Sequence, residues 1–330
     1  RINAHTTICA SSPRFCWVLP FSSYSLDCSR AATNANPLNL SHRRDTQRHK
    51  GVERLLRPVT SDNESRMVPL PGVDAAIKAA LPKLTRTDKL QLRFWLLWNE
   101  RIDKVLNKLN LGANVESVLT NPKLRFLHYY ITKLNQKSSN AAVTMADTLA
   151  SKYGLVPVAK MLEKGKTSTG SSDVTKALAK ELQLEQFTGW ANMKLSPVDV
   201  YMKLELKSQY STSLGGPVFE AWAGYVRKLN RGNDDTATSS MLKALKEVYG
   251  DRGAALLLFE SKELFDPKKT VGKMRLTQYK TWMENGVDEK NFLKKALGSE
   301  SLKPTVADEK ILNEYLLFVK PYHKAHGARL

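Results

Sequence analysis

Tyr130-Ile131-Thr132-Lys133-Leu134-Asn135 returns as Tyr225-Val226-Arg227-Lys228-Leu229-Asn230, and this repetition decides how the chain reads. Trp95, Trp190 and Trp282 stand 95 and 92 residues apart. Tyr130, Tyr225 and Tyr315 stand 95 and 90 apart, so the Trp-to-Tyr interval is 35, 35 and 33. A shift of 95 also lays Val105 on Val200, Leu109 on Leu204, Leu111 on Leu206 and Pro122 on Pro217. The third unit is looser. It keeps Phe292 and Leu293 after Trp282, and Tyr315-Leu316-Leu317-Phe318-Val319-Lys320 stands for the tyrosine segment. A fixed period of this kind marks a repeat architecture, in which each unit buries apolar surface against its neighbours.

The units read as helical. Val218, Trp222, Tyr225 and Leu229 step by four, three and four, and Leu124, Leu127, Ile131 and Leu134 by three, four and three, which gives one apolar face in each. Leu312, Tyr315 and Val319 repeat it. Ser196-Pro197-Val198-Asp199 places a hydroxyl at the cap, proline in the first turn and an acid three residues on. Asn121-Pro122 and Gly216-Pro217 open the tyrosine segments likewise. A Leu-rich segment ending in Tyr153-Gly154 recurs as one ending in Tyr249-Gly250, and each leads into a further helix. No such segment precedes Trp95. Hairpin signals are missing. The expected fold is all-α: a linear array of three small helical bundles at 71–138, 139–233 and 234–330, each centred on one Trp–Tyr pair. Removing the third unit should then leave the first two folded.

Residues 1–70 read as a disordered arm, rich in Ser, Asn, Arg and Pro without helical periodicity. Cys9, Cys16 and Cys28 all fall there, which argues against a disulfide scaffold or a thiolate metal site in the body. No apolar run reaches the roughly 18 residues of a membrane span. No stretch fits a secretory signal, since Phe15 to Phe21 is short and interrupted by Pro20. The net charge of +19, from 51 Lys and Arg against 32 Asp and Glu, reads first as solvated helical surface because the lysines are spread over every segment. The alternative is backbone contact with nucleic acid.

Over residues 72–325 the chain resembles the RXLR effectors of plant-pathogenic oomycetes, in particular those built from tandem LWY repeats, in a WY–LWY–LWY order. In the arm, Arg54-Leu55-Leu56-Arg57 fits the translocation motif of that family, and Glu64 and Arg66 form a degenerate version of the acidic element that follows it. The resemblance implies a secreted, non-enzymatic virulence protein that enters the host cell cytoplasm or nucleus and binds plant proteins to suppress immunity. It also implies one candidate partner, the scaffold core of the host type 2A protein phosphatase. A monomer is expected.

No catalytic residue, metal ligand or cofactor is expected. Gly165-Lys166-Thr167 lacks the glycine a phosphate-binding loop needs five residues earlier, and reads as the start of a linker running to Ser172. His323 and His326 have helical spacing but no third ligand, and His128 has no evident nucleophile beside it. Trp95, Tyr130, Trp190, Tyr225, Trp282 and Tyr315 are read as core residues that specify the fold.

Overall fold

The computed structural model describes residues 71–137, 142–209, 214–261, 266, 268–299 and 303–326, with 209 and 322–326 by backbone alone. Arg54 to Arg57, Glu64, Arg66 and the three cysteines lie outside the described residues, as do the side chains of His323 and His326. Among the described residues there are helices and turns and no strand, in agreement with the all-α expectation.

The first module runs α1 (Pro71–Ala80), α2 (Arg86–Leu97), α3 (Ile102–Leu109) and α4 (Lys123–Lys137). A pair follows, α5 (Met145–Tyr153) and α6 (Leu155–Thr167). The second module has α7 (Asp173–Asn192), α8 (Pro197–Lys203) and α9 (Pro217–Leu229). The long α10 (Asp234–Glu260) leads to α11 (Thr270–Glu284), α12 (Phe292–Lys295) and α13 (Val306–His326). Each module therefore repeats a tryptophan helix (α2, α7, α11), a short helix and a tyrosine helix (α4, α9, α13).

Local chemistry sets the helix starts. Ser196 accepts from the Asp199 N–H at 3.1 Å while the Asp199 carboxylate accepts from the Ser196 N–H at 2.8 Å, the reciprocal cap expected from the sequence. Thr85 and Asp88 do the same for α2, at 3.1 and 2.8 Å. Each such cap contributes about 1 kcal/mol.

The tryptophan helices all end in one turn. The N–H five residues after each tryptophan donates to the tryptophan carbonyl: Glu100 to Trp95 at 3.0 Å, Leu195 to Trp190 at 3.1 Å and Val287 to Trp282 at 2.9 Å. The residue before each donor is left-handed, with φ of 47° at Asn99, 52° at Lys194 and 61° at Gly286. This is the closure that satisfies the orphan carbonyls of a helix end.

The buried apolar side chains form three clusters, one around each Trp–Tyr pair. They interlock through the tryptophan helices. Leu178, Ala179 and Leu182 of α7 belong to the first cluster, whereas Phe187 and Trp190 belong to the second. Val271 and Met274 of α11 lie in the second cluster, and Tyr279 and Trp282 lie in the third. The second cluster also takes Ala237, Met241, Leu245 and Leu258 from α10. Removal of residues 234–330 thus strips one side of the second core, and the expectation that the first two units would survive that cut is revised. A chain ending at 233 is expected to keep cooperative structure around the first core alone, readable as amide protection over α1 to α6 and the first half of α7.

Two glycines make the Leu-rich segments turn. Gly154 separates α5 from α6 at φ 90°, ψ 153°. Gly250 kinks α10 at φ 73°, ψ 169°. A side chain does not adopt that conformation without strain. Gly250→Ala is expected to cost about 1–3 kcal/mol, measured as a fall in the urea midpoint. Gly165 departs from the linker expected for it. It lies inside α6, and a Cβ there would meet Leu119 Cδ1 at 2.7 Å and Ala179 Cβ at 2.9 Å. The glycine lets α6 approach α7 closely, and the loop is confined to residues 168–172.

Candidate functional site

Trp190 meets Tyr225 edge-on at 5.3 Å and 85°, and Trp282 meets Tyr315 at 5.5 Å and 89°. In the first module Phe126 packs against Trp95 at 5.1 Å. All six of the repeat aromatics are buried. Their hydroxyls share one role that the spacing did not reveal. Tyr225 donates to the Leu195 carbonyl at 2.6 Å, Tyr315 donates to the Val287 carbonyl at 3.1 Å, and Tyr130 donates to the Glu100 carbonyl. Each acceptor is the residue five after the tryptophan. The tyrosine helix therefore latches the turn that ends the tryptophan helix. Burial pushes the phenols of Tyr225 and Tyr315 up to about 12, with Asp199 and Asp288 adding to the rise, and it raises that of Tyr130. They act as protonated donors, which suits structure rather than proton transfer near neutral pH. Tyr225→Phe leaves the Leu195 carbonyl without this donor and is expected to cost about 1–3 kcal/mol, measured by chemical denaturation.

The buried polar groups tie helices together. Glu185 of α7 accepts from the Ala146 N–H at the start of α5, at 2.9 Å. Burial pushes its carboxyl up to about 7, and Asp147 nearby acts in the same direction. Burial also raises Asp147 itself, against the bond from Thr144. Lys166, the basic residue of the Gly-Lys-Thr string, bonds Glu163 at 2.8 Å and Gln183 at 2.5 Å. Arg252 clamps Asp308 with bonds of 3.0 and 2.9 Å, joining α10 to α13. Arg275 bonds both Tyr279 and Glu314 between α11 and α13. His128 is buried against Asp74, with Nε2 at 3.1 Å, and burial holds its pKa below the usual imidazole value. Among the described residues no group of three His, Cys, Asp or Glu is placed to hold a metal ion.

Two surface features stand apart from the packed core. A groove of about 230 Å³ lies between α1, α2 and α4, lined by Lys78, Lys83, Lys89, Arg125 and His128 among others. It is smaller than the usual 300–1,000 Å³ of a small-molecule pocket. Beside it, α2 turns Leu90, Phe94, Leu97 and Trp98 to solvent. The string Leu90-Gln91-Leu92-Arg93-Phe94-Trp95-Leu96-Leu97-Trp98 carries that signal, because apolar residues occupy both faces of a single helix. No helix among the described residues is long and apolar enough to cross a membrane.

No family model matches the chain. Individual relatives do. An RxLR effector protein of Phytophthora infestans (strain T30-4) is 25% identical over 233 residues, 71% of this chain and 34% of the relative. The RxLR effector protein PSR2 of Phytophthora sojae is 24% identical over 260 residues, 78% of this chain and 38% of the relative. The secreted RxLR effector protein RXLR-C08 of Plasmopara halstedii is 26% identical over 196 residues, 59% of this chain and 38% of the relative. The crystal structure of PcRxLR12 superposes with a TM-score of 0.52 at 26% identity, covering 73% of this chain and 57% of that one. The chain spans about a third of the length of the first of these curated relatives. In sequence and in fold it is a homologue of RxLR effector proteins.

Proposed function

We propose, from the premise of that homology, that this chain is a secreted oomycete effector that acts inside plant cells as a non-enzymatic binding scaffold. The observation that supports it most directly is the agreement between kinship and chemistry. The relatives are effectors by name, and the ionisable groups described above are spent on joining helices. The repeated aromatics hold three packed modules, whose outward faces are left for partners. Arg54 to Arg57, with Glu64 and Arg66, would serve delivery into the host, and the modules at 71–138, 139–233 and 234–330 would do the binding.

The finer reading names host proteins as targets, suppression of immunity as the outcome, and the host cytoplasm or nucleus as the place. One candidate partner is the scaffold of the type 2A protein phosphatase, taken at a joint between modules. The joints here are the places where α5 and α6 meet α7, and α10 meets α11. Proximity labelling in plant tissue with the full chain tests the scaffold reading. Enrichment of host proteins that bind the purified chain directly is the expected result. A phosphatase scaffold that fails to bind in vitro removes that partner.

The alternative, nucleic-acid binding, rests on the charge of +19. The ion pairs Lys164–Glu116 at 2.8 Å and Lys273–Asp234 at 2.6 Å show that part of the basic surface is spent between helices. Backbone binding would give affinity for random duplex that falls steeply with salt. Submicromolar affinity at physiological salt would favour it over the protein-binding reading.

A further inference from the structure

Helix α2 has two apolar faces. Leu92 and Trp95 point inward, 1% and 6% exposed. Leu90, Phe94, Leu97 and Trp98 recur at i, i+4, i+7 and i+8 on the other side, 64%, 60%, 77% and 71% exposed. The Phe94 and Trp98 rings lie 5.7 Å apart, so they form one surface. A contiguous exposed apolar patch of this kind marks an interaction site.

The other modules show what this face receives. Counted from the tryptophan, Leu90 and Phe94 correspond to Glu185 and Gly189 in α7. Both are buried there, because α5 lies over them. The Ala146 N–H reaches Glu185 at 2.9 Å, and the Asp147 carboxylate lies where a Cβ on Gly189 would come within 3.8 Å. In α11 the matching Thr277 and Thr281 are half-buried. The Leu90–Phe94 part of this strip thus takes a helix against it in the second module, where the counterparts of Leu97 and Trp98, Asn192 and Met193, stay exposed, and in the first module the whole strip is open and strongly apolar.

Charge narrows the occupant. At 100° per residue, Arg86, Lys89 and Arg93 line one edge of the stripe. Asp88, the one acid within α2, is spent in the cap with Thr85. Lys83 and Arg125 continue the basic margin into the adjoining groove, where the carboxylate among the lining residues, Asp74, is paired with Lys78 and His128. Residues 71–137 carry twelve Lys and Arg against five Asp and Glu.

We propose that the outer face of α2 is a docking site for an acidic amphipathic helix of a partner protein. Its apolar side chains would cover Leu90, Phe94, Leu97 and Trp98, and its carboxylates would run along Arg86, Lys89 and Arg93. This rests on the scaffold reading and adds the partner's chemistry and the face it uses.

The test is fluorescence anisotropy with the full chain and two labelled 18-residue model helices, one with a leucine face and a glutamate margin, the other with a lysine margin. Binding of the glutamate helix at least about tenfold tighter than the lysine helix is expected. Phe94→Glu with Leu97→Glu should abolish it. Arg86→Glu with Arg93→Glu should reverse the preference. All four positions are exposed, and unchanged circular dichroism and melting would show that the fold is kept. Equal affinity for both helices, or binding untouched by these variants, overturns the proposal. Three other outcomes also overturn it. A dimer in sedimentation equilibrium that the apolar pair breaks would make the occupant a second copy. Sedimentation with 7:3 phosphatidylcholine/phosphatidylserine vesicles, lost in the same pair, would make it a lipid surface. Absence of binding with Phe94 and Trp98 protected from hydroxyl-radical footprinting in the free chain would make it residues 1–70 of the chain itself. The assay uses purified chain and synthetic helices. A failed host experiment therefore leaves this result standing, and failure here leaves other faces to serve the scaffold reading.

Discussion

Replacing Trp190 by alanine is expected to destabilise the chain by about 3–5 kcal/mol, the range for emptying a buried aromatic site. The indole is packed against Phe187 at 5.6 Å and Tyr225 at 5.3 Å, and Tyr225 cannot move into the void without breaking its bond to Leu195. The loss should not stay within the second module. Helix α7 carries Leu178 and Leu182 into the first core, and α11 carries Val271 and Met274 into the second. Hydrogen exchange is therefore expected to rise most over α7 to α10, with smaller rises in the first module and in α11. Trp282→Ala, in the third core, should raise exchange over α11 to α13 and spare α1 to α6.

The second large effect is on pH dependence. The Glu185 carboxyl is pushed up to about 7 in the folded chain, first by burial and then by Asp147, against an ordinary value of 4.5. Below pH 4.5 both folded and unfolded chains hold this proton, and Glu185 costs nothing. Between pH 4.5 and 7 the unfolded chain releases it while the folded chain keeps it, so stability falls as pH rises. Above 7 the penalty is constant, on the order of 3 kcal/mol. Glu185→Gln preserves an acceptor for the Ala146 N–H without the charge. It should flatten the stability profile between pH 5 and 8 and stabilise the chain by about 2–3 kcal/mol at pH 8, with little change at pH 4.5. Urea titrations of both proteins at the three pH values measure this. An unchanged slope would mean that the carboxylate is solvated in the fold.

Much of the architecture was legible because it is written in local and periodic terms. The Ser196–Asp199 cap needs only residues three apart, and the structure places it as read. The tyrosine segments show their buried face in their own spacing, except Leu229, which ends α9 exposed. What escaped the sequence depends on what lies across the fold. Gly165 belongs to a linker by composition, but close approach to Leu119 and Ala179 holds it in a helix. Glu185 has the look of a surface acid until α5 covers it. The tyrosine latches join residues 28 to 30 apart, and the acceptor is a main-chain carbonyl that no side-chain pattern records. The open face of α2 leaves a signal that the repeat reading passed over, apolar residues on both sides of one helix. Only the packing, which buries Leu92 and Trp95 and leaves Leu90, Phe94, Leu97 and Trp98 exposed, shows which side is spare.

The most direct measurement of the scaffold account is made in living leaf tissue. The full chain is expressed there beside a Trp190→Ala, Trp282→Ala double variant, and the oxidative burst after challenge with a bacterial flagellin peptide is recorded. The account predicts a reduced burst with the intact chain and a normal burst with the variant that cannot hold its cores. A normal burst in leaves where the intact chain accumulates folded and full-length would contradict it.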